Sequence, residues 1–221
     1  MTAPYFHFPA DSLPVPAQRR MYADYGKRLF DLAALVLMAP VILPVVFLIV
    51  GLVTVTGTKP FYAQERVGRD GRTFEIVKFR TMVADAEARR FDLAELNDME
   101  GGGPLFKIHD DPRITRVGAV LRKWSIDELP QLWNVLRGDM SLVGPRPALP
   151  HETEEWDALL SQRLRVKPGI TGMWQVNGRS DTSFEDYTRL DLYYVDNWSL
   201  ATDLAILAKT IPVVLLRQGA R

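Results

Sequence analysis

The sequence predicts a helix-dominated α/β protein, anchored to a membrane by an N-terminal re-entrant helix and carrying a small β-hairpin and interfacial helices. Three observations point there. Residues 32–53 form an apolar run with no charged or polar side chain, long enough to reach across a bilayer. Gly68-Arg69-Asp70-Gly71 is a strong hairpin signal between two strand-like segments. The remaining segments are mostly of helical period and are punctuated by proline and glycine. The chain divides into a mobile N-terminal arm over residues 1–24, the re-entrant helix over 25–58 and a cytoplasmic domain with interfacial helices over 59–221.

Composition narrows the functional classes. The chain has 221 residues with 27 basic and 27 acidic side chains, so its net charge is zero. That length suits one domain with a real core plus an appendage, and the charge balance gives no support to a nucleic-acid partner. With no cysteine, a disulfide framework and a thiolate metal site are both excluded. No internal repeat is present.

The arm carries Pro4, Pro9, Pro14 and Pro16 without an apolar period. Arg19, Arg20, Lys27 and Arg28 then precede the apolar run, and Lys59, Arg66, Arg69, Arg72, Lys78 and Arg80 follow it. A cleaved signal peptide fits badly, because the run and its leader are too long and no small-x-small site stands out. A simple spanning helix also fits badly. Pro40 and Pro44 each remove a backbone donor in the middle of the run, so a strong bend is expected there. Basic flanks on both sides place both ends in the cytoplasm. A helix that enters, breaks at Pro40 and Pro44 and returns satisfies both constraints.

Residues 61–82 read as the hairpin. On its second strand period two puts Val77 and Phe79 on one face, and Lys78 and Arg80 on the other. That cationic pair is either a solvated face or one turned to the site or to lipid headgroups. Residues 83–99 read as an exposed helix ended by Gly101-Gly102-Gly103-Pro104, a connector or a lid. His109 beside Asp110 and Asp111 is a poor metal cluster, since adjacent residues seldom converge on one ion. Residues 114–123 predict a helix carrying Arg116 and Arg122.

The stretch 124–147 organises the rest. Asp127 and Glu128 open a predicted short helix that Gly138 ends. Ser125 with Glu128 would form a capping box; alternatively Asp127 is the cap and Pro130 sits in the first turn. On either reading free N–H groups favour an ionised carboxylate near a phosphate. Such a carboxylate is a plausible nucleophile when a cation bridges the two. Gly144-Pro145-Arg146-Pro147 follows, and two prolines around one arginine hold a guanidinium for a phosphate.

Residues 151–166 predict a further helix, then Pro168-Gly169-Ile170-Thr171-Gly172 a rigid turn, with Lys167 and Arg179 flanking it as candidate pyrophosphate contacts. Residues 184–198 give an aromatic-rich helix, and 200–216 an apolar one interrupted by Pro212. Their aromatic and apolar side chains serve either the core or a headgroup contact.

Several fixed blocks in order carry a resemblance: Asp127-Glu128-Leu129-Pro130-Gln131-Leu132, Asn134-Val135, Gly138-Asp139-Met140-Ser141 and Gly144-Pro145-Arg146-Pro147, with Lys78-Phe79-Arg80-Thr81-Met82 upstream. Over nearly the whole chain it resembles the bacterial sugar transferases, the monotopic polyprenyl-phosphate phosphoglycosyl transferases of short exopolysaccharide type. The resemblance implies an enzyme on the cytoplasmic face of the bacterial inner membrane, anchored by a re-entrant helix. It would move a sugar-1-phosphate from a UDP-sugar, galactose or glucose first, to undecaprenyl phosphate, releasing UMP. Asp127 is then the nucleophile and forms an aspartyl phosphosugar, while Glu128 supports it. Arg122, Arg146, Lys78, Arg80, Lys167 and Arg179 contact phosphate or substrate. Mg²⁺ is held by Asp127 and Asp139. Membrane lipid is a partner, and the reading leaves a homodimer open. Ala39 departs from the family, whose relatives have a serine before the proline; a serine hydroxyl would satisfy a carbonyl freed at the break. The rival reading is a non-catalytic membrane scaffold of a polysaccharide assembly complex, which has no need of the intact Asp127-Glu128 pair with Arg122 and Arg146.

Overall fold

The computed structural model describes residues 22–55, 57–86, 88, 111–177 and 184–216. Residues 1–21 of the N-terminal arm, most of the predicted 83–99 helix, the Gly101–Gly103 loop, His109, Asp110 and Arg179 lie outside these residues.

A π-helical turn, Tyr22–Gly26, leads into α1, Lys27–Val55. Its 29 residues would span ~43 Å if straight. The helix runs on through Pro40 and Pro44, the positions where the sequence predicts a strong bend. Its buried and half-buried positions recur at helical spacing: Asp31, Leu35, Met38, Ile42, Val46, Ile49 and Val53. The other faces expose Val36, Leu37, Val41, Leu43, Phe47, Leu48 and Leu52. An all-apolar exposed surface of this size is not a solvent surface.

Both halves of α1 rest on the same domain. Phe30, Ala34, Leu35 and Met38 pack against the larger core, built from Ile76, Val135, Met140, Leu142, Val143, Val176, Tyr194 and Ile206. Val46, Ile49, Val50 and Val53 join Phe79 and Leu121 in a second cluster. The first turns are fixed by polar contacts. Lys27 Nζ donates to Val143 O at 2.9 Å and pairs with Asp203 at 2.5 Å, and Arg28 caps the Val135 and Leu136 carbonyls at the end of a short helix. Asp31, 2% exposed, accepts from Ser141 Oγ and Leu142 N–H. Lys27 and Arg28, read as flanking charges, thus reach into the domain.

The hairpin forms as predicted: β1, Phe61–Val67, pairs antiparallel with β2, Thr73–Phe79, in the register Phe61↔Phe79 to Val67↔Thr73. Asp70 and Gly71 take positive φ at the turn. Phe79 is buried against α1 and stacks on Phe61 at 5.5 Å. Next come α2, Arg116–Lys123, and α3, Gln131–Arg137, with the 3-10 turn Ile126–Glu128 between them.

The sequence did not reveal a second sheet. The segment read as a rigid turn contains β4, Gly169–Thr171, which pairs parallel with β3, Ser141–Val143. The strands approach closely at Gly144, where an added Cβ would lie 2.4 Å from Lys167 O. The predicted 151–166 helix is broken into α4, Pro150–Glu154, and a 3-10 segment, Leu160–Arg165, because Asp157 Oδ1 accepts from Leu160 N–H and restarts the chain. Two helices close the fold, α5, Phe184–Asn197, and α6, Leu200–Leu215. Pro212 does not interrupt α6. The face of α6 turned inward carries Asp203, 0% exposed, bonded by Lys27, Tyr22 and Tyr194, while Leu200, Leu204, Ile211 and Leu215 are exposed. The helix is thus apolar on both faces, Ile206 and Val213 being buried beside Asp203.

Candidate active site

The site is assembled from the end of β2, the last turn of α2 and the 3-10 turn before α3. Neither predicted cap forms. Ser125 adopts φ 54°, ψ 23° and its hydroxyl caps nothing, so the chain turns sharply there and Asp127 and Glu128 sit in the 3-10 turn. The α-helix begins only after Pro130. Asp127 is half-buried. Among the described residues its carboxylate has no hydrogen bond or ion pair to another side chain. Burial and then the neighbouring Glu128 hold its pKa above the usual carboxylate value, against the pull of Lys78 and Arg122.

Glu128 is tied down where Asp127 is free. Lys78 Nζ donates to Glu128 Oε1 at 2.8 Å. Lys78 reaches it because α3 docks on β2 through Asn134, 0% exposed. Its Oδ1 accepts from Val77 N–H at 3.0 Å and its Nδ2 donates to Glu75 O at 2.7 Å. The amide so satisfies the open edge of β2 in place of a third strand. Arg122 is oriented by Thr81, whose Oγ1 accepts from Nε at 2.8 Å. Thr81 is in turn fixed against α2, its carbonyl accepting from Thr115 N–H at 3.0 Å. This contact exists because position 118 is glycine; a Cβ there would lie 2.0 Å from Thr81 O.

Of the sequence-derived set, Asp127, Glu128, Lys78 and Arg122 come together. Arg80 does not join them; it lies one residue past β2, its guanidinium over the Tyr62 ring at 5.7 Å and its Nε donating to Lys59 O. Lys167 and Asp139 lie at the other end of α3. Asp139 is 3.4 Å from Arg137 Nε, and Lys167 Nζ is beside Gly138 and Arg28. The seven-residue α3 separates Asp139 from Asp127, so the two do not form one ligand set. No cluster of three metal-ligating side chains occurs among the described residues. Asp127 by itself still suits Mg²⁺, a hard ion that takes one or two carboxylates and completes its shell from substrate phosphates.

Arg146 is half-buried in the loop after β3, and among the described residues its guanidinium has no hydrogen bond or ion pair. Arg66, which the sequence reading placed only among flanking charges, lies buried between the two parts of the site. Burial, and next the charge of Arg146, lower its pKa to about 10, while Glu128 pulls the other way. Sequence reasoning also missed Thr81 and Asn134 as individuals, though both lie in blocks it singled out. It missed Arg163 and Asp191 as a pair. The signal was a single acid, Asp191, between Leu190 and Leu192 on an aromatic helix.

Comparison with known proteins bears on this arrangement. The family described as "Bacterial sugar transferase" matches residues 22–217. The chain is 47% identical over 199 residues to a UDP-galactose-lipid carrier transferase of Erwinia amylovora, covering 88% of this chain and 41% of that protein. It is 44% identical over 204 residues to the exopolysaccharide production protein ExoY of Sinorhizobium fredii, covering 91% and 90%. It is 42% identical over 202 residues to an undecaprenyl-phosphate galactose phosphotransferase of Salmonella typhimurium, covering 88% and 41%. The chain thus spans about two fifths of the first and third relatives and nearly all of the second.

Proposed function

The chain belongs to the bacterial sugar transferase family, and on that premise we propose that it is a phosphoglycosyl transferase, which moves a sugar-1-phosphate from a UDP-sugar to undecaprenyl phosphate, the first membrane step of an exopolysaccharide or glycoconjugate. The observation that carries the reading is the contrast within the acidic pair: Glu128 is neutralised by Lys78, and Asp127 is left free beside Arg122.

In the first half-reaction an Asp127 oxygen attacks the sugar-linked phosphorus. The phosphoanhydride bond breaks, its electron pair leaves with UMP, and an aspartyl phosphosugar remains. In the second, an oxygen of the lipid phosphate attacks the same phosphorus, and the acyl-phosphate bond breaks to restore the Asp127 carboxylate. Arg122, held by Thr81, faces the charge that develops on the phosphoryl oxygens, and Arg146 supplies a second cation. Glu128 holds Lys78 in place and keeps it from pairing with the nucleophile. Mg²⁺, which Asp127 would help to hold, would supply neutralisation of phosphate charge.

The membrane arrangement is part of the proposal. A helix crossing the bilayer leaves only one end on the side of its domain, but Phe30–Met38 residues and Val46–Val53 residues of α1 both pack on the domain. This supports a re-entrant α1 whose middle, at Pro40 and Pro44, dips into the lipid, with the exposed apolar side chains of α6 resting on the headgroup region. The domain then lies on the cytoplasmic face, where nucleotide sugars are. Galactose in the names of two relatives makes UDP-galactose the first donor to test.

The test is isotope exchange without lipid acceptor. Protein with UDP-galactose or UDP-glucose and Mg²⁺ should exchange labelled UMP into the UDP-sugar, and Asp127→Asn should abolish both exchange and transfer. Exchange that requires polyprenyl phosphate, or that survives in Asp127→Asn, would establish direct transfer instead.

A further inference from the structure

The loop that presents Arg146 is pinned at successive carbonyls by donors from different parts of the chain. Pro145 O accepts from Gly169 N–H at 2.9 Å, and Ala148 O from Val67 N–H at 2.9 Å. Between them no backbone donor among the described residues reaches. Arg146 O accepts from Arg163 Nη2 at 3.2 Å, and Pro147 O from Arg66 Nη1 at 3.2 Å. Gly144, Pro145, Pro147 and Ala148 are buried, and Arg146 alone in the loop is not.

The two arginines are built in rather than left to find these contacts. Arg163, 3% exposed, lies between the rings of Trp156 and Tyr187, at 4.7 and 4.5 Å. Trp174 meets Tyr187 edge-on at 4.9 Å. Arg163 Nε donates to Asp191 Oδ2 at 3.0 Å, and Asp191 is 0% exposed. Arg66 is 7% exposed and gives its second donor to Gln64 Oε1 at 2.7 Å. A buried ion pair of the Arg163–Asp191 kind adds little net stability over an apolar pair of the same volume. What it fixes is geometry: a planar guanidinium held by two rings, the Asp191 carboxylate and the Tyr187 hydroxyl directs its Nη2 onto the Arg146 carbonyl.

We infer that Arg66 and Arg163 are positioning residues, which clamp the two successive carbonyls of Arg146 and Pro147 and so aim the guanidinium of Arg146 at a phosphate of the donor. Neither touches substrate. This rests on the reading of Arg146 as a phosphate contact, and it separates three arginines into two that hold the loop from outside and one within it that binds.

The experiment is a pair of double-mutant cycles on the full chain in detergent, Arg163→Lys with Arg146→Ala and Arg66→Lys with Arg146→Ala. The readouts are UDP affinity by calorimetry, kcat/KM for transfer, and melting temperature. A lysine keeps the charge but cannot serve both of its arginine's partners. Each single variant should bind UDP about tenfold more weakly or worse. In the Arg146→Ala background the same changes should have no further effect on UDP affinity, while the melting temperature falls equally in both backgrounds. Should Arg163→Lys fail to fold, Trp156→Leu, which removes one ring of the sandwich, should show the same loss and the same dependence on Arg146. The clamp is wrong if the singles bind UDP normally, or if the losses multiply undiminished in Arg146→Ala while the wild type still transfers sugar phosphate. If Arg146→Ala itself binds UDP as the wild type does, Arg146 is not a phosphate contact, and the clamp falls with it.

Discussion

Replacing Gly118 by alanine tests whether helix packing sets the chemistry. The new Cβ would lie 2.0 Å from Thr81 O and 2.6 Å from its carbonyl carbon. A carbon–oxygen contact needs about 3.3 Å, so α2 must withdraw by roughly 1.3 Å. The atoms in the way are backbone, held by Thr115 N–H on the same carbonyl, and cannot swing aside. Overpacking of this kind costs about 1–3 kcal/mol, or ~2–12 °C in melting temperature for a chain of this length. The larger effect is on Arg122, one turn along the same face of α2. Its bond to Thr81 Oγ1, 2.8 Å in the wild type, is pulled apart, and a displacement near 1 Å costs on the order of 100-fold in rate. The assay is UMP release from UDP-sugar with undecaprenyl phosphate, alongside melting in the same detergent. Gly51→Ala is the control, since its Cβ meets nothing within 4 Å and should leave both readouts unchanged or slightly improved. Turnover of Gly118→Ala within about threefold of wild type, in a protein that melts normally, would refute the reasoning that α2 packing aims Arg122.

Other expectations follow from the same geometry. Asn134→Leu strands Val77 N–H and Glu75 O at about 1–3 kcal/mol each, so melting should fall by at least ~4 °C and activity should drop as Lys78 loses its register with Glu128; an unchanged melt would show that water replaces the amide. Asp127 has a raised folded-state pKa, so between the ordinary carboxylate value and that raised value the folded chain binds more protons than the unfolded chain, and stability declines as pH rises. Asp127→Asn should therefore melt above wild type at pH 7 and level with it below the carboxylate range, and wild-type exchange should fade as pH drops through the raised value. EDTA should abolish turnover and Mg²⁺ or Mn²⁺ restore it; full activity in EDTA excludes the metal. Cysteines at Tyr25 and Thr58, on either side of α1, should both resist a membrane-impermeant thiol reagent in intact cells, and labelling of one from the periplasm would sink the re-entrant arrangement.

Much of this protein follows from local sequence. The anchor is legible because an uncharged run of that length has few other uses, and the hairpin because Asp70 and Gly71 supply the positive φ its turn needs. Asp127 and Glu128 are legible as a pair, with Arg122 and Arg146 as candidate cations for a phosphate. Their neighbours in sequence were also read as neighbours in function, and there the reading overreached: α3 carries Asp139 away from Asp127, and Arg80 folds back over Tyr62. Tertiary structure decided the rest. The parallel pairing of β3 with β4 joins three-residue strands too short to have a period. Lys27 and Asp31 belong to the domain because Asp203 and Ser141 stand 176 and 110 residues further on. Arg66 and Arg163 look like surface charges in sequence and are interior. Turn chemistry and apolar period are properties of a few consecutive residues. Whether a charge is buried depends on a partner that only the folded chain brings to it, and so the residues that aim this site, more than those that react in it, stayed out of sight.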